Sequence, residues 1–552
     1  MISWRDHLII LPIILPLFTA GLMLWLDDRN RKVKAAINLA STSALLIISI
    51  SLMRIADATV PAGEGSHVEV YLLGDWPASF GIVLVLDRLS ALMLVLTSIL
   101  ALCTLLFALA RWHKAGAHFH PLFQFLLMGL NGAFLTGDLF NLFVFFEVLL
   151  AASYGLALYG SGRVRVRASL HYIAFNVATA MLFLIGASLI YGVTGTLNMA
   201  HLAARISQIA AEDRVLLEAG AAILGIVFLV KAGTWPLCFW LPTTYAAASA
   251  PVAAFFAILT KVGVYVMLRL WLLLFGAETG LSAQFGGDWL VVAGIMTVIF
   301  GSIGALASQD LGRLAGFSVL VSSGTLLAVL GFGDLNITSG ALFYLVGSTI
   351  ALSAFFLLIE LVERDRVPGA DVLAVTIEAF GYTDLDEQEE DTDIGTPIPA
   401  TMAVLGLSFV GCALMIAGMP PLSGFLAKFA MLSAIFSASP VSGPSLGTWV
   451  LLAVLTFSGL AATIAATRAG IRTFWTPLEP TVPRVGLIEI APIAVLLLLC
   501  VGMTIEAGPV MRYMQSTAAG LHAPADYVNG VITAPRIRRG ETIKPPAGEE
   551  GS

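Results

Sequence analysis

The stretch that decides the fold runs from Phe228 to Tyr245 and reads Phe-Leu-Val-Lys-Ala-Gly-Thr-Trp-Pro-Leu-Cys-Phe-Trp-Leu-Pro-Thr-Thr-Tyr. It begins as the end of an apolar helix and places a single lysine, Lys231, among aliphatic neighbours. Gly233 and Pro236 then interrupt the helix, because proline removes a backbone donor and glycine favours helix ends. In lipid, the charge and the released backbone groups both need polar partners. We therefore expect this stretch to face protein or a water-filled cavity, and to be functional.

The composition of the whole chain is that of a membrane protein. Of its 552 residues, 58% are hydrophobic and 12% are charged, whereas soluble domains carry about 25% charged residues. Many apolar runs exceed the roughly 20 residues that a helix needs to cross a bilayer, and none alternates as a membrane strand does. The four cysteines lie in or beside apolar runs without a CxxC spacing, so they indicate neither a disulfide framework nor a metal site. The sequence predicts an all-α polytopic membrane protein.

Apolar runs separated by polar or Gly/Pro breaks predict about fourteen membrane spans. The third is expected over residues 82–110, and the run that ends at Trp25 is expected to be a retained first span, because cations follow it and no cleavage site is evident. Most lysines and arginines fall in the connections on one side, which the positive-inside rule assigns to the cytoplasm. With an even number of spans, both termini are predicted to be extracytoplasmic.

A short motif from the opening stretch occurs twice. Residues 232–237, Ala-Gly-Thr-Trp-Pro-Leu, recur as residues 417–422, Ala-Gly-Met-Pro-Pro-Leu, each near the middle of a long apolar stretch. The copies lie five spans apart, so the second crosses the membrane in the opposite direction, as inverted repeats of transporters do. Paired broken helices are where an ion pathway is expected. The predicted hinges of these broken helices are Gly233, Pro236, Gly418 and Pro421.

The chain divides into four predicted segments. Residues 54–80 read as a polar extracytoplasmic loop, and residues 363–399 as a cytoplasmic insert dense in acid. That insert is interpreted either as a solvated, partly disordered loop or as a docking or cation-attracting patch. The segments are residues 1–110 with helices 1–3, residues 111–275 with helices 4–8 and a broken helix at 215–247, residues 276–470 with helices 9–13 and a broken helix at 400–437, and residues 471–552 with the last helix and a polar tail.

Four ionisable residues lie well inside apolar spans. Each costs roughly 2.5 to 3.5 kcal/mol at the middle of the membrane, so four without partners would be hard to tolerate unless they had a function. Glu147 follows Asp138 by nine residues and hence by roughly 13 Å of helix, which places it near the bilayer midplane. The four residues are Glu147, Lys231, Lys261 and Lys428.

Two interpretations of these charges remain open. A carboxylate and a lysine in low dielectric stabilise each other, so movement of a proton or cation nearby can switch the lysine between holding and releasing its proton. Lysine can release a proton at accessible pH, whereas arginine cannot. Alternatively, the charges form structural ion pairs that hold helices together.

Other titratable residues have less specific patterns. Asp138 lies near a span end, as interfacial charges do, and His171 is interpreted either as a proton relay or as a capped histidine. His113, His118 and His120 are expected on a cytoplasmic connection, where metal binding is an alternative to an ordinary loop role. We find no nucleotide-binding glycine loop and no Ser/His/Asp constellation. We therefore expect a transporter rather than an enzyme, with no cofactor, no resident metal and no nucleic-acid partner.

Several motifs in order resemble one family over residues 80 to 480. They are Phe-Phe-Glu-Val-Leu at Glu147, Val-Lys-Ala-Gly-Thr-Trp-Pro at Lys231, Ala-Ser-Ala-Pro-Val with Lys261 ten residues after its proline, Gln-Asp-Leu-Gly-Arg at 309–313, and Pro-Pro-Leu-Ser-Gly-Phe-Leu-Ala-Lys ending at Lys428. The chain resembles the antiporter-like subunits shared by respiratory complex I and the Mrp multisubunit cation/proton antiporters. Lysine in the twelfth span, the acidic insert and the lack of a long lateral C-terminal helix are most similar to the D-type subunits of Mrp/Pha antiporters.

The resemblance implies a fourteen-helix fold with two inverted five-helix repeats, each containing a broken helix. It implies that Glu147 and Lys231 form a coupling pair. It also implies that Lys261 is a central relay and that Lys428 is the outlet of a second half-channel. Many relatives carry histidine or lysine in the eleventh span, which here offers only hydroxyls. Residues of a possible secondary path are Asp138, His171, Ser348, Thr349 and Ser353.

The expected function is that of a secondary active transporter subunit in a bacterial plasma (inner) membrane. Within a hetero-oligomer of membrane subunits in the lipid bilayer, it would move protons in exchange for Na⁺ or K⁺. The alternative is an energy-coupling membrane subunit of an enzyme of the complex I or membrane-bound hydrogenase type. A third hypothesis is a structural scaffold whose buried charges only hold helices together.

Overall fold

The computed structural model describes residues 6–58, 67–276, 280–364, 400–437, 444–474 and 485–535, and these contain nineteen α-helices and one two-stranded sheet. In chain order the helices are α1 (Leu11–Trp25), α2 (Arg31–Ala56), α3 (Arg88–Ala110), α4 (Phe119–Leu135), α5 (Leu139–Ala157), α6 (Arg163–Thr194), α7 (Met199–Ile206), α8 (Ala211–Ala232), α9 (Trp240–Ala247), α10 (Ala250–Phe275), α11 (Gly287–Ala307), α12 (Leu311–Leu330), α13 (Leu335–Glu363), α14 (Ala400–Ala417), α15 (Ser423–Ser437), α16 (Leu446–Phe474), α17 (Leu487–Ile505), α18 (Ala507–His522) and α19 (Ala525–Ile532). The acidic run of the insert predicted at 363–399 lies outside the described residues.

Twelve of these helices are long and apolar enough to cross a membrane, counted over the described part of the chain. The chain is therefore a multi-pass membrane protein, as its composition predicts. The helices differ in how deeply they are buried: 94% of the most apolar window is buried in α10 and in α13, against 33% in α6. Helices α10 and α13 thus form the centre of the molecule, and α6 lies at its periphery.

One short sheet departs from the all-helical prediction. Strand β1 (Glu69–Leu72) pairs antiparallel with β2 (Val83–Leu86). The third span was expected to begin at residue 82, but α3 begins only at Arg88, because Asp87 accepts a hydrogen bond from the backbone N–H of Ser90 in a capping box. The apolar run before this cap is too short to cross a membrane, and it pairs with β1 instead.

The two predicted helix breaks have the same backbone geometry. Helix α8 ends at Ala232 and α14 at Ala417, and the glycines that follow, Gly233 and Gly418, have φ angles of 75° and 73°. In both, the glycine N–H donates to the carbonyl three residues before it, and the next N–H donates to the carbonyl five residues before it. This is the Schellman motif, which requires a residue in the left-handed region and therefore favours glycine.

The C-terminal segment was predicted to be a polar tail after the last span, and this was wrong for residues 507–532. There α18 packs on α13 and α10, and α19 packs on α7 and β1. The Tyr513 hydroxyl donates to the Arg88 carbonyl over 2.9 Å, and His522 lies 3.0 Å from Thr338. Tyr527 is buried, and the Arg269 guanidinium lies over its ring, with the guanidinium carbon 5.3 Å from the centroid of the Tyr527 ring. Apolar and aromatic side chains spaced along one face of each helix explain this packing.

Candidate functional site

Lys231 lies in the last turn of α8, immediately before the first break. Its side chain is 7% exposed, and its amine Nζ is buried without a hydrogen-bond partner among the described residues. The amine lies over the ring of Phe146 on α5, 4.7 Å from the ring centroid. An ammonium over an aromatic face is stabilised by the ring quadrupole, but this contact leaves all its N–H groups without acceptors. Lys231 is thus placed to gain or lose a proton without breaking a hydrogen bond.

Glu147 is next to Phe146 and acts on Lys231 electrostatically. The two do not form an ion pair, since the ion pairs found between described residues involve other side chains. Glu147 is half-buried and lies on the face of α5 that carries Phe140 and Val144, which are 54% and 41% exposed. Its carboxyl therefore opens partly toward the outer surface of the chain.

Helix α10 carries Lys261 through the centre of the molecule. A Cβ at Gly263 would lie 2.7 Å from the backbone N of Ala232, so α10 packs directly against the end of α8. Lys261 is 0% exposed, and its amine donates to Ser322 over 2.8 Å and to Ser323 over 3.3 Å. Unlike Lys231, this lysine is held by hydroxyl groups of α12.

The hydroxyl of Ser322 links Lys261 to α13, because it also donates a hydrogen bond to Ser348 on that helix over 2.9 Å. Sequence reasoning missed Ser322 and Ser323, which accept hydrogen bonds from the Lys261 amine. The available signal was a pair of adjacent serines inside an apolar span, which in membranes commonly bond across helices.

The other hydroxyls of the eleventh predicted span have different surroundings. Thr349 donates to the Leu345 carbonyl of its own helix over 2.5 Å. Ser353 is 0% exposed, and its hydroxyl has no partner in the described part of the chain. Of the three hydroxyls predicted on this span, only that of Ser348 is therefore linked to a lysine by the described hydrogen bonds, and the link to Lys261 runs through Ser322.

Lys428 lies on α15, after the second break, and reaches back to it. Its side chain is 8% exposed, and its amine donates to the carbonyl of Ala417 over 3.0 Å. That carbonyl is among the last of α14, where backbone acceptors lack helical partners and the helix dipole is negative. A Cβ at Gly418 would lie 3.0 Å from this amine, and one at Gly459 on α16 would lie 3.7 Å from it. Two glycines thus make room for the lysine.

The beginning of α15 packs against α13 close to Ser348. A Cβ at the neighbouring Gly347 would lie 3.4 Å from the hydroxyl oxygen of Ser423, which is 1% exposed. Ser423 lies five residues before Lys428. The hydroxyl groups that begin at Lys261 therefore lead toward the half of the molecule that holds Lys428.

The remaining predicted residues lie apart from the lysines. Asp138 caps α5 by accepting a hydrogen bond from the Asn141 N–H over 2.9 Å. His171 is exposed on α6 and lies 3.0 Å from the Arg167 carbonyl of its own helix. Neither contacts Glu147 or a site lysine through the hydrogen bonds of the described residues.

The metal hypothesis for the three histidines finds no support in the geometry. Across the described residues, no group of three histidine, cysteine or acidic side chains is gathered as metal ligands. His118 is exposed, whereas His120 is buried with Nδ1 2.8 Å from the amide nitrogen of Asn38. An amide nitrogen only donates, so the hydrogen of neutral His120 belongs on Nε2, which is then unable to bind a metal.

The arrangement is one of amines and hydroxyls spread across two broken helices. Of the predicted proton-carrying residues, only Glu147 adds a carboxylate near the lysines. The set offers proton donors and acceptors in sequence, and it shows neither an activated nucleophile nor a general base beside one. The chemistry that such a set supports is proton transfer between nitrogen and oxygen atoms.

Comparison with known proteins places this arrangement in a family. The profile described as "NADH:quinone oxidoreductase/Mrp antiporter, TM" matches residues 136–456. The chain is 60% identical over 539 residues, 97% of its length and 99% of the relative's, to a probable K(+)/H(+) antiporter subunit of the D type from Rhizobium meliloti (strain 1021). It is 33% identical over 534 residues, 96% of its length and 99% of the relative's, to a Na(+)/H(+) antiporter subunit of the D type from Alkalihalophilus pseudofirmus (strain ATCC BAA-2126 / JCM 17055 / OF4).

A solved structure shares the same fold. A chain in the structure of the Mrp complex from Dietzia sp. DQ12-45-1b superposes with a TM-score of 0.81 at 25% identity, covering 96% of this chain and 100% of that one. The profile match spans more than half of the chain, and the similarity to the relatives extends over nearly all of it. The chain belongs to the family of NADH:quinone oxidoreductase and Mrp antiporter transmembrane subunits, and it is similar over nearly its whole length to the D-type antiporter subunits named above.

Proposed function

We propose that the chain is the proton-translocating subunit of a multisubunit antiporter, which exchanges protons for K⁺ or Na⁺ as a secondary active transporter. The observation that carries this function is the amine of Lys231, which is buried beside a broken helix without a hydrogen-bond partner in the described residues. A buried charge of this kind is costly and is retained in membrane helices mainly for function. The names of the relatives support the same function.

Protonation switching begins at Glu147 and Lys231. A proton or cation that approaches Glu147 from the outer surface neutralises part of its negative charge. The attraction between the Glu147 carboxylate and the Lys231 ammonium then weakens, and the lysine more readily releases its proton. No hydrogen bond of Lys231 has to break, so the response is governed by the local charge. Lys261 then takes or gives a proton through the hydroxyls that hold it, and Lys428 exchanges its proton at the end of α14.

We infer K⁺ as the favoured cation for the complex, because identity is higher to the relative named as a K⁺/H⁺ antiporter subunit than to the one named as a Na⁺/H⁺ antiporter subunit. Other membrane subunits are expected as partners, since the structural relative belongs to a complex. The partly exposed Glu147 supports this assignment, because a carboxyl on the outer face of a membrane helix is best solvated by a polar group of a neighbouring subunit.

The finer architecture that we propose has fourteen spans, with Leu11–Trp25 and Phe119–Leu135 added to the twelve long helices, and with α15 completing the broken span of α14. Two inverted five-helix repeats, in residues 111–275 and 276–470, would each contain one broken helix. The identical Schellman geometry at Gly233 and Gly418 supports this pairing. The positive-inside rule supports a bacterial inner membrane orientation with both termini outside the cytoplasm.

An energy-coupling role in a redox enzyme is the second candidate function, favoured by the first half of the family description. The two functions differ in their partners. Purification of the intact complex with identification of its subunits separates them, because peripheral iron–sulfur or flavin proteins accompany only the redox enzyme. We expect membrane subunits without such proteins.

Proton movement in vesicles that contain the whole complex tests the proposed function. Lys231→Ala and Glu147→Gln should each abolish K⁺- or Na⁺-dependent proton movement while the complex still assembles. Glu218→Gln is the matched control on α8, because Glu218 accepts a hydrogen bond from Ser282 that glutamine preserves. If both variants assemble and support full cation-dependent proton movement, the proposed function is wrong.

A further inference from the structure

The hydroxyl of Ser322 occupies the only direct connection between Lys261 and α13 that the described hydrogen bonds provide. Its oxygen accepts from the Lys261 amine over 2.8 Å, and its hydrogen points to Ser348, 2.9 Å away. Ser322 is 2% exposed and Lys261 is 0% exposed, so bulk water does not compete for these bonds. The Lys261 ammonium therefore donates to the Ser322 hydroxyl, which in turn donates to the Ser348 hydroxyl, so both hydrogen bonds run from Lys261 toward α13.

Ser348 is poised to pass a proton onward. Its own hydroxyl donates to the Leu345 carbonyl over 3.4 Å, which is a long and weak hydrogen bond. The adjacent Gly347 allows Ser423 to approach α13 closely. A neighbouring group or a water molecule on the Ser423 side can therefore compete for the Ser348 hydrogen.

We propose that Ser322 is the proton-transfer residue between Lys261 and α13, with Ser348 as the next carrier. In this step the Lys261 ammonium gives a proton to the Ser322 oxygen as the Ser322 hydrogen moves to Ser348. Ser348, which is only partly buried, then gives its own hydrogen to a water molecule on the Ser423 side. The lysine becomes neutral, both hydroxyls are restored and one proton has advanced.

This role rests on the proposed function, and it adds the residues by which protons cross the eleventh predicted span without histidine or lysine. Ser323 is the internal comparison. It also accepts from Lys261, over 3.3 Å, but no hydrogen bond of the described residues continues from it to α13. Ser322 and Ser323 therefore share burial, helix and chemistry, and they differ in their connection to Ser348.

The test is cation-dependent proton movement in vesicles with the whole complex. We expect Ser322→Ala to slow it by at least about tenfold, because transfer through a positioned group is lost. Ser323→Ala should lose less than Ser322→Ala, because it removes one acceptor of the Lys261 amine and no connection to α13. Ser318→Ala is the matched control on the same helix and should remain near the unmodified rate, because the Ser318 hydroxyl donates to the Leu314 carbonyl of its own helix. Ser322→Thr and Ser322→Val are a second pair, which have nearly the same shape and differ by one hydroxyl. The threonine variant should transport and the valine variant should not, even if Ser322→Ala assembles poorly.

Two outcomes would overturn the assignment, and both are distinct from failure of the proposed function. One is full activity of Ser322→Ala or Ser322→Val in vesicles where Lys231→Ala is inactive, which refutes the relay and leaves the antiporter function intact. The other is equal loss in Ser322→Ala and Ser323→Ala, which indicates a packing effect.

Discussion

The two broken helices share one backbone design and use their lysines in different ways. At the first break, Lys231 precedes the Schellman glycine and has a buried amine without a hydrogen-bond partner among the described residues. At the second break, Lys428 follows the glycine and donates to the Ala417 carbonyl. Lys231 itself lies in the last turn of α8, and the Lys428 amine reaches the last turn of α14. Both lysines therefore belong to the C-terminal end of the first half of a broken helix, where the dipole carries roughly half a negative charge. Lysines that do not superpose in sequence are thus associated with the same end of the two broken helices.

This difference suggests a division of labour. An amine without hydrogen bonds responds to the charge around it, whereas an amine that caps a helix must break a hydrogen bond before it can change partner. In our account Lys231 therefore senses Glu147, and Lys428 combines proton release with stabilisation of its break. This comparison can be tested, because replacing the two lysines should change the thermal stability of the complex in different ways.

The largest expected difference is between Lys231→Met and Lys428→Met. Both should abolish proton movement, because each removes a proton carrier. Lys231→Met should leave the thermal unfolding midpoint of the purified complex unchanged or raise it, because a buried charge without a hydrogen bond is removed. Lys428→Met should lower the midpoint, because the Ala417 carbonyl loses its donor at a cost of about 1–3 kcal/mol. Equal shifts in the two variants would contradict the division of labour.

The hinge glycines provide the next contrast. Alanine at Gly233 or Gly418 must adopt a left-handed conformation, which costs about 1–2 kcal/mol, so both variants should lose similar stability. At Gly418 the new methyl group would also lie 2.8 Å from the Lys428 side chain, whereas at Gly233 it would meet Leu241 at 2.7 Å. We expect Gly418→Ala to lose more transport than Gly233→Ala in vesicles with matched amounts of complex. The opposite order would argue against a role for the Lys428 position.

A moderate effect is expected from Phe146→Leu. The change removes the aromatic face under Lys231 and keeps an apolar side chain of similar length. Cation–π contacts are worth about 0.5–2 kcal/mol, so transport should fall by about two- to tenfold and its pH dependence should shift. Phe145→Leu, at the neighbouring buried phenylalanine, is the matched control. Unchanged transport in Phe146→Leu would show that the ring does not influence Lys231.

The smallest effects are expected at two residues that sequence reasoning assigned to a secondary path. Asp138→Asn keeps the cap of α5, because asparagine also accepts a hydrogen bond from the backbone. His171→Gln changes an exposed side chain that is bonded within its own helix. Both variants should transport at nearly the unmodified rate. A severe loss in His171→Gln, with normal assembly, would instead place this histidine on the proton route.

Much of this fold follows from the sequence because lipid constrains it strongly. Apolar runs of sufficient length predict helices. A glycine followed three residues later by a proline within such a run predicts a break, as at Gly233 and Gly418. The buried lysines were visible for the same reason, since a charge within an apolar run is conspicuous. The short β pair was not predicted, because the apolar run Val83–Leu86 continues into α3 and only the Asp87 cap separates the two.

Parts of the candidate site could not be predicted, because they depend on how helices face one another. Apolar neighbours surround Glu147 in sequence, and its opening toward the outer surface follows only from the packing of α5. The bond from Lys428 to Ala417 requires the chain to fold back across the break. Ser322 resembles many serines that bond only within their own helix, and its position between Lys261 and Ser348 follows from the meeting of three helices.

The measurement that tests the central claim most directly is cation-dependent proton movement by Lys231→Arg in vesicles that contain the assembled complex. Arginine keeps the positive charge and the aromatic contact at the end of α8, but it does not release its proton at accessible pH. If Lys231 works by protonation switching, the variant should assemble normally and lose proton movement. Full proton movement by Lys231→Arg would contradict the account and make Lys231 a structural charge.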